Sequence, residues 1–265
     1  MNRIDRKFKE LQKMRKKAFI AYICAGDPDL RTTEELVYIL ESSGADIIEL
    51  GVPFSDPLAD GPTIQAASQR ALKKGVYLKK IFTLIRSLRK KTQVPIVLMG
   101  YYNPILRYGL TNFISDAVSA GADGAIIPDL PVEEAGDFIK QSRKFRFSSI
   151  FLISPTTTTP KIKEIISKST GFIYYVSLTG VTGARESLPA GISADVKRIK
   201  RYTKKPVCVG FGISRPSQVK QISSFADGVI VGSAIIKKIE ANLGNRDKIL
   251  HSVASLIKKL ISNYQ

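Results

Sequence analysis

Short, almost continuously apolar runs recur along the whole of this chain, and amphipathic stretches fill the spaces between them. The runs occupy 19–25, 46–52, 95–101, 124–128, 149–154, 172–177, 206–210 and 228–232. Strands without polar alternation must be covered on both faces, which favours a parallel sheet. The intervening segments, 33–42, 63–74 with 78–90, 111–120, 132–144, 160–168, 193–202 and 216–225, place apolar residues at helical spacing, as Leu36, Ile39 and Leu40 or Val196 and Ile199 do. Eight such units in 265 residues predict one (β/α)8 TIM barrel domain over residues 1–265, with an extra N-terminal helix and additional short helices. The main competitor, an open doubly wound sheet, announces itself by a GxGxxG turn after the first strand. Here that turn reads Cys24-Ala-Gly-Asp-Pro-Asp29 and lacks the spacing. Ahead of the first strand, Ile4, Phe8 and Leu11 form a stripe on a basic helix that is expected to close the N-terminal mouth. The stretch 247–261 reads as the last outer helix.

A barrel of this type carries its chemistry where its strands end. Two glycine motifs fall after the seventh and eighth strands, Val209-Gly-Phe-Gly-Ile-Ser214 and Val231-Gly-Ser-Ala-Ile-Ile236. Those are the loops that commonly hold a phosphate, because glycine lets backbone N–H groups approach its oxygens and a helix start adds unpaired donors. A helix beginning at Ser233 fits that role. After the sixth strand, residues 179–183 are small, polar and glycine-rich, which suits a loop that closes over a ligand. Period-two alternation allows only one of Tyr174 and Tyr175 to face inward.

The second strand ends on Glu49 and leads into Leu-Gly-Val-Pro-Phe-Ser-Asp-Pro-Leu-Ala-Asp60-Gly-Pro-Thr-Ile-Gln65. With a single histidine, His251, in a helical stretch, acid and base work falls to carboxylates, tyrosines or lysines. Glu49 and Asp60 are the candidate pair. Asp56, before Pro57, reads as a turn or partner contact, and the prolines Pro53, Pro57 and Pro62 restrict the loop. For Glu49 to act as an acid near neutrality, an apolar pocket must raise its pKa.

Composition sets the outer limits. Cys24 and Cys208 sit inside apolar runs without metal-ligand spacing, so buried free thiols are expected. No apolar run approaches the roughly 18 residues of a membrane span. The first residues are charged with no apolar signal centre, so a cytoplasmic protein is expected. The net charge of +18 raises nucleic-acid binding, but the Lys and Arg groups lie mostly on polar helix faces and no nucleic-acid-binding motif accompanies them. A positive field also suits an anionic small substrate.

The 49–65 motif, Gly180-Val-Thr-Gly-Ala184, Gly210-Phe-Gly-Ile-Ser214 and Gly232-Ser-Ala234 together closely resemble the tryptophan synthase alpha subunit family, from about Phe8 onward. The resemblance implies a lyase that splits indole-3-glycerol phosphate into indole and glyceraldehyde 3-phosphate by a retro-aldol step. It implies Glu49 as acid and base, and Asp60 as acceptor for the indole N–H. It assigns Tyr22, Met99, Ile126, Ile153, Tyr174, Thr182 and Phe211 to the substrate pocket, and Gly183, Gly212, Gly232 and Ser233 to the phosphate. Tyr22 stands where phenylalanine is frequent and Met99 where leucine is common. The resemblance further implies no metal or cofactor in this chain, and an alpha2beta2 assembly with a beta subunit that holds pyridoxal phosphate. The docking surface would be the 53–62 loop and the stretch 100–108. Two readings compete: a subunit that mainly activates its partner, which intact Glu49 and Asp60 argue against, and another phosphosugar isomerase or epimerase, which has no use for the 49–65 motif.

Overall fold

The computed structural model describes residues 2–176, 191–210 and 212–262. Nine strand segments are β1 (Ala18–Cys24), β2 (Ile47–Gly51), β3 (Ile96–Met99), β4 (Gly124–Ile126), β5 (Ser148–Ile150), β6 (Leu152–Ile153), β7 (Ile173–Val176), β8 (Val207–Gly210) and β9 (Gly228–Val231). All pair in parallel, and β1 lies between β2 and β9. The series runs from β5 on one side to β6 on the other, and these two are halves of one run interrupted at Phe151. One half pairs with β4 and the other with β7, so the sheet closes on itself with eight staves.

The helices are α1 (Arg3–Lys13), α2 (Leu30–Ser42), α3 (Pro62–Lys73), α4 (Leu78–Leu88), α5 (Tyr102–Tyr108), α6 (Leu110–Ala120), α7 (Gly136–Phe145), α8 (Thr159–Lys168), α9 (Ile192–Lys200), α10 (Pro216–Ser223), α11 (Ser233–Glu240) and α12 (Arg246–Ile261). Their starts are local chemistry. The Asp29 carboxylate caps α2 by accepting from the Thr32 N–H at 2.7 Å, which starts that helix three residues before the periodic pattern does. Conversely, the 132–144 expectation overreaches, because the chain turns through 132–135 before α7 begins. The short helix α5 gives no periodic signal at seven residues.

Alternation along the strands sorts the core into two layers. Ile20, Ile47, Val97, Ile126, Ile150, Cys208 and Ile230 fill the barrel interior, while their neighbours pack outward against the helices. From below, α1 inserts Ile4, Phe8 and Leu11 into that interior, with the rings of Phe8 and Phe172 5.9 Å apart. Each of those side chains contributes about 1.5–3 kcal/mol by leaving water. The N-terminal mouth is therefore sealed by apolar contact, and the open end is the one where the strands finish. Both cysteines are free and buried.

Candidate active site

Because Ile47 faces the interior, period two brings Glu49 to the same face, one step nearer the C-terminal rim. It lies between Tyr22 of β1 and Val97 of β3. Its side chain is almost completely enclosed, at 1% exposure, and Oε2 has no hydrogen-bond partner. Burial, helped by the nearby charge of Asp60, raises its pKa to about 8. Glu49 is thus a protonated acid at neutral pH.

Asp60 reaches the same cavity from the β2–α3 connection. That loop is pinned at several points. The Tyr101 hydroxyl donates to Asp60 Oδ2 at 3.1 Å and accepts the Ala59 N–H at 2.9 Å. Gln65 donates to the Asp60 carbonyl at 2.8 Å, and the Ser68 hydroxyl both accepts from the Phe54 N–H and donates to the Phe54 carbonyl. Burial raises the Asp60 pKa to about 6, opposed by the Tyr101 hydrogen bond. It therefore stays mostly ionised at neutrality, and the two carboxyl groups occupy opposite protonation states in one cavity.

The remaining walls come from Tyr22, Met99 and Tyr174, with Ile64 and Ile230 completing the apolar lining. Burial holds both tyrosines well above their ordinary pKa, so their phenols stay neutral. Of the adjacent tyrosines, Tyr174 is the inward one. Tyr175 packs in the outer core and donates to Asp195 at 2.6 Å. Two glycines exist to admit these rings: a Cβ at Gly51 would strike the Tyr22 hydroxyl, and one at Gly210 would come within 2.5 Å of the Tyr174 hydroxyl.

Gly212, Gly232 and Ser233 line the cavity just past the ends of β8 and β9, on the other side of β1 from the strand that carries Glu49. Gly212 has φ +70, a conformation that side chains with a Cβ rarely adopt. Gly232 caps α11 without a side chain and Ser233 opens the helix, so the start of α11 lies at the cavity wall. A helix start, whose first-turn N–H groups lack intrahelical partners, is the kind of place where an anion can be held.

Not every expected wall position arrives. Ile126 is buried in the barrel interior and Ile153 in the outer core, and neither lines the cavity. Plain alternation accounts for the second: Ile150 and Leu152 pack toward the interior, Phe151 and Ile153 toward the helices. Thr182, Gly183 and Phe211 lie outside the described residues, as does the small polar stretch 179–183. Sequence reasoning overlooked Ile64, Ile230 and the Tyr101 anchor. Ile64 lies within the long motif, and Ile230 follows from inward alternation on the last strand. Nor does the positive charge sit at this rim: among the described residues, Arg215 is the only Lys or Arg in any strand-to-helix connection, against Asp27, Asp29, Asp56, Asp60, Asp129, Glu133 and Glu134.

Fold and rim together define a (β/α)8-barrel enzyme whose cavity brings two carboxyl groups together with the glycine turns after β8 and β9. The chain belongs to the tryptophan synthase alpha chain family, whose model matches residues 8–264. It is 52% identical over 255 residues to the tryptophan synthase alpha chain of Geotalea daltonii, covering 96% of each chain. It superimposes on tryptophan synthase subunit alpha of Legionella pneumophila with a TM-score of 0.92 and 41% identity, covering 99% of this chain and 98% of that one. It also matches a chain of the tryptophan synthase a2b2 complex of Pyrococcus furiosus at a TM-score of 0.88 and 40% identity, over 93% of this chain and 99% of that one.

Proposed function

We propose that this chain cleaves indole-3-glycerol phosphate to indole and glyceraldehyde 3-phosphate, with Glu49 and Asp60 as its acid–base machinery. It is a carbon–carbon lyase of tryptophan biosynthesis. The phosphate rests against Gly212, Gly232 and Ser233, and the indole ring lies among Tyr22, Met99, Ile64 and Tyr174. Protonated Glu49 delivers its proton to indole C3, leaving positive charge on the ring nitrogen. The Asp60 carboxylate accepts the N–H hydrogen bond and stabilises that charge. The Glu49 carboxylate then takes the proton of the glycerol hydroxyl as the carbon–carbon bond breaks, and the bonding pair returns to the ring. Aldehyde and indole leave, and Glu49 is protonated again.

One observation carries this reading: the buried, unpaired carboxyl of Glu49 shares a cavity with an ionised Asp60. Alpha chains of this family use no cofactor, the pyridoxal phosphate belonging to the beta subunit, and the working assembly is the alpha2beta2 tetramer. We place that assembly in the cytoplasm; among the described residues no helix is long and apolar enough to cross a membrane. The test is Glu49→Gln, assayed for indole release beside binding of glycerol 3-phosphate. Release falls by about a hundred- to ten-thousandfold while the ligand still binds. Turnover at the parent rate would remove Glu49 from the mechanism.

A further inference from the structure

At the end of the barrel away from the active site, the turns are basic. The turns that lead from helices into strands carry Arg15, Lys16 and Lys17 before β1, Arg89, Lys90 and Lys91 before β3, and Lys204 and Lys205 before β8. The aspartates of the same turns are committed to the backbone. Asp46 accepts the Phe19 N–H at 2.9 Å, Asp123 that of Ile96 at 2.9 Å and Asp227 that of Val207 at 3.0 Å. They fix strand ends and also hold ion pairs, Asp123 with Arg3 and Arg89 and Asp227 with Lys17 and Lys200, yet the eight cations named in these turns outnumber the three aspartates. The polarity is opposite at the catalytic rim, where acids dominate the connections.

Between α1 and the turn before β8 this rim forms a groove of about 950 Å3, with Phe8, Gly171 and Pro206 among its apolar lining. Lys9, Arg15 and Lys204 line it, face solvent and make no ion pair among the described residues. Backbone geometry adds an independent sign. Arg15 has φ +56 and Arg146, also in a rim turn, φ +55, left-handed positions that glycine takes at Gly44 and Gly121 of the same rim. A cationic side chain stands at both in spite of the strain.

We propose that the N-terminal rim is a binding surface for a chain of phosphates, laid along the groove over Lys9, Arg15 and Lys204. Lysines act as point charges that accept phosphate oxygens from many directions and need no base or sugar pattern. A concave groove suits an extended strand, whereas a planar bilayer does not reach its floor. The surface is independent of the lyase reading, since none of these residues touches the catalytic cavity.

The test uses the full chain with a labelled single-stranded oligonucleotide and, separately, inorganic polyphosphate. Binding is measured between about 50 and about 200 mM salt, where each phosphate contact contributes about 0.7 to the slope of log affinity against log salt. The variant Lys9→Ala/Arg15→Ala/Lys204→Ala is compared with Lys73→Ala/Lys74→Ala/Lys79→Ala, which removes the same charge from exposed lysines near Val76, where that residue packs against Gly26 of the β1–α2 connection. The rim variant is expected to lose about tenfold in affinity and about two in slope, with the control unchanged and indole release intact in both. Displacement of the oligonucleotide by polyphosphate at equal phosphate concentration identifies the phosphate chain as what is read; failure of polyphosphate to compete assigns the site to nucleic acid bases and overturns the proposal. Equal losses in the two variants, no binding of either ligand at about 50 mM salt, or tighter binding to polyglutamate or to vesicles of phosphatidylserine and phosphatidylcholine would also overturn it.

Discussion

The Tyr101 hydroxyl bridges Asp60 Oδ2 and the Ala59 N–H, tying the loop that carries one catalytic candidate to the end of the strand after the one that carries the other. A single phenol thereby fixes both the position and the charge of the carboxylate. Tyr101→Phe removes the hydrogen bond that holds the Asp60 pKa down. The variant is expected to lose about tenfold in kcat/KM. The acid limb of its pH profile moves to higher pH. An unmoved acid limb in kcat/KM for indole release would show that the phenol does not tune Asp60.

The pH profile of the parent follows from the same pair. The proposed mechanism needs Glu49 protonated and Asp60 ionised, so kcat/KM is expected to form a bell with limbs near about 6 and about 8. In Glu49→Gln residual activity should lose the alkaline limb. Rates recorded across that range with the isolated chain check it.

Stability runs against catalysis at Glu49. Its folded pKa, about 8, lies above the ordinary value of 4.5, so the native state binds the extra proton and stability falls as pH rises between those values. Glu49→Gln removes that loss. Its melting temperature is expected to exceed the parent's by about 4 °C or more above pH 8, with the advantage fading toward pH 5. Calorimetry at the two pH values decides it, and an equal difference at both would refute the linkage.

A buried ion pair offers a contrasting case. Arg70 on α3 donates to both oxygens of Asp27, at 2.7 and 2.9 Å, and also to Glu240 at the end of α11. Asp27 is fully buried, and burial raises its pKa in spite of the guanidinium. Arg70→Met leaves that carboxylate without its partner and is expected to cost about 3–5 kcal/mol near neutral pH. The deficit narrows as acid protonates Asp27. Urea denaturation at two pH values measures it.

Gly212 tests the proposed phosphate site. At φ +70 a branched side chain is strained, and Gly212 lines the cavity. Gly212→Val is expected to raise KM for indole-3-glycerol phosphate about tenfold or more while leaving kcat closer to the parent. An unchanged KM would take the glycine out of that site.

Much of this was readable from residues alone because periodicity is a strong local signal. The inward alternation at Tyr174, the plugging stripe of Ile4, Phe8 and Leu11, and the eight staves all follow from spacing. Three things were not. The interruption at Phe151 is a matter of which neighbour each half-strand pairs with, and no local pattern records it. The Tyr101–Asp60 hydrogen bond joins residues 41 positions apart. The segregation of charge between the two rims becomes visible only when connections are sorted by direction, since along the sequence the lysine groups look evenly scattered.

The apolar plug at the base of the barrel also orders events in time. Ile4, Phe8 and Leu11 are synthesised first, yet their seat is built from residues as late as Phe172, Cys208 and Ile230. The seat for this apolar stripe is therefore complete only once the last strand has been made.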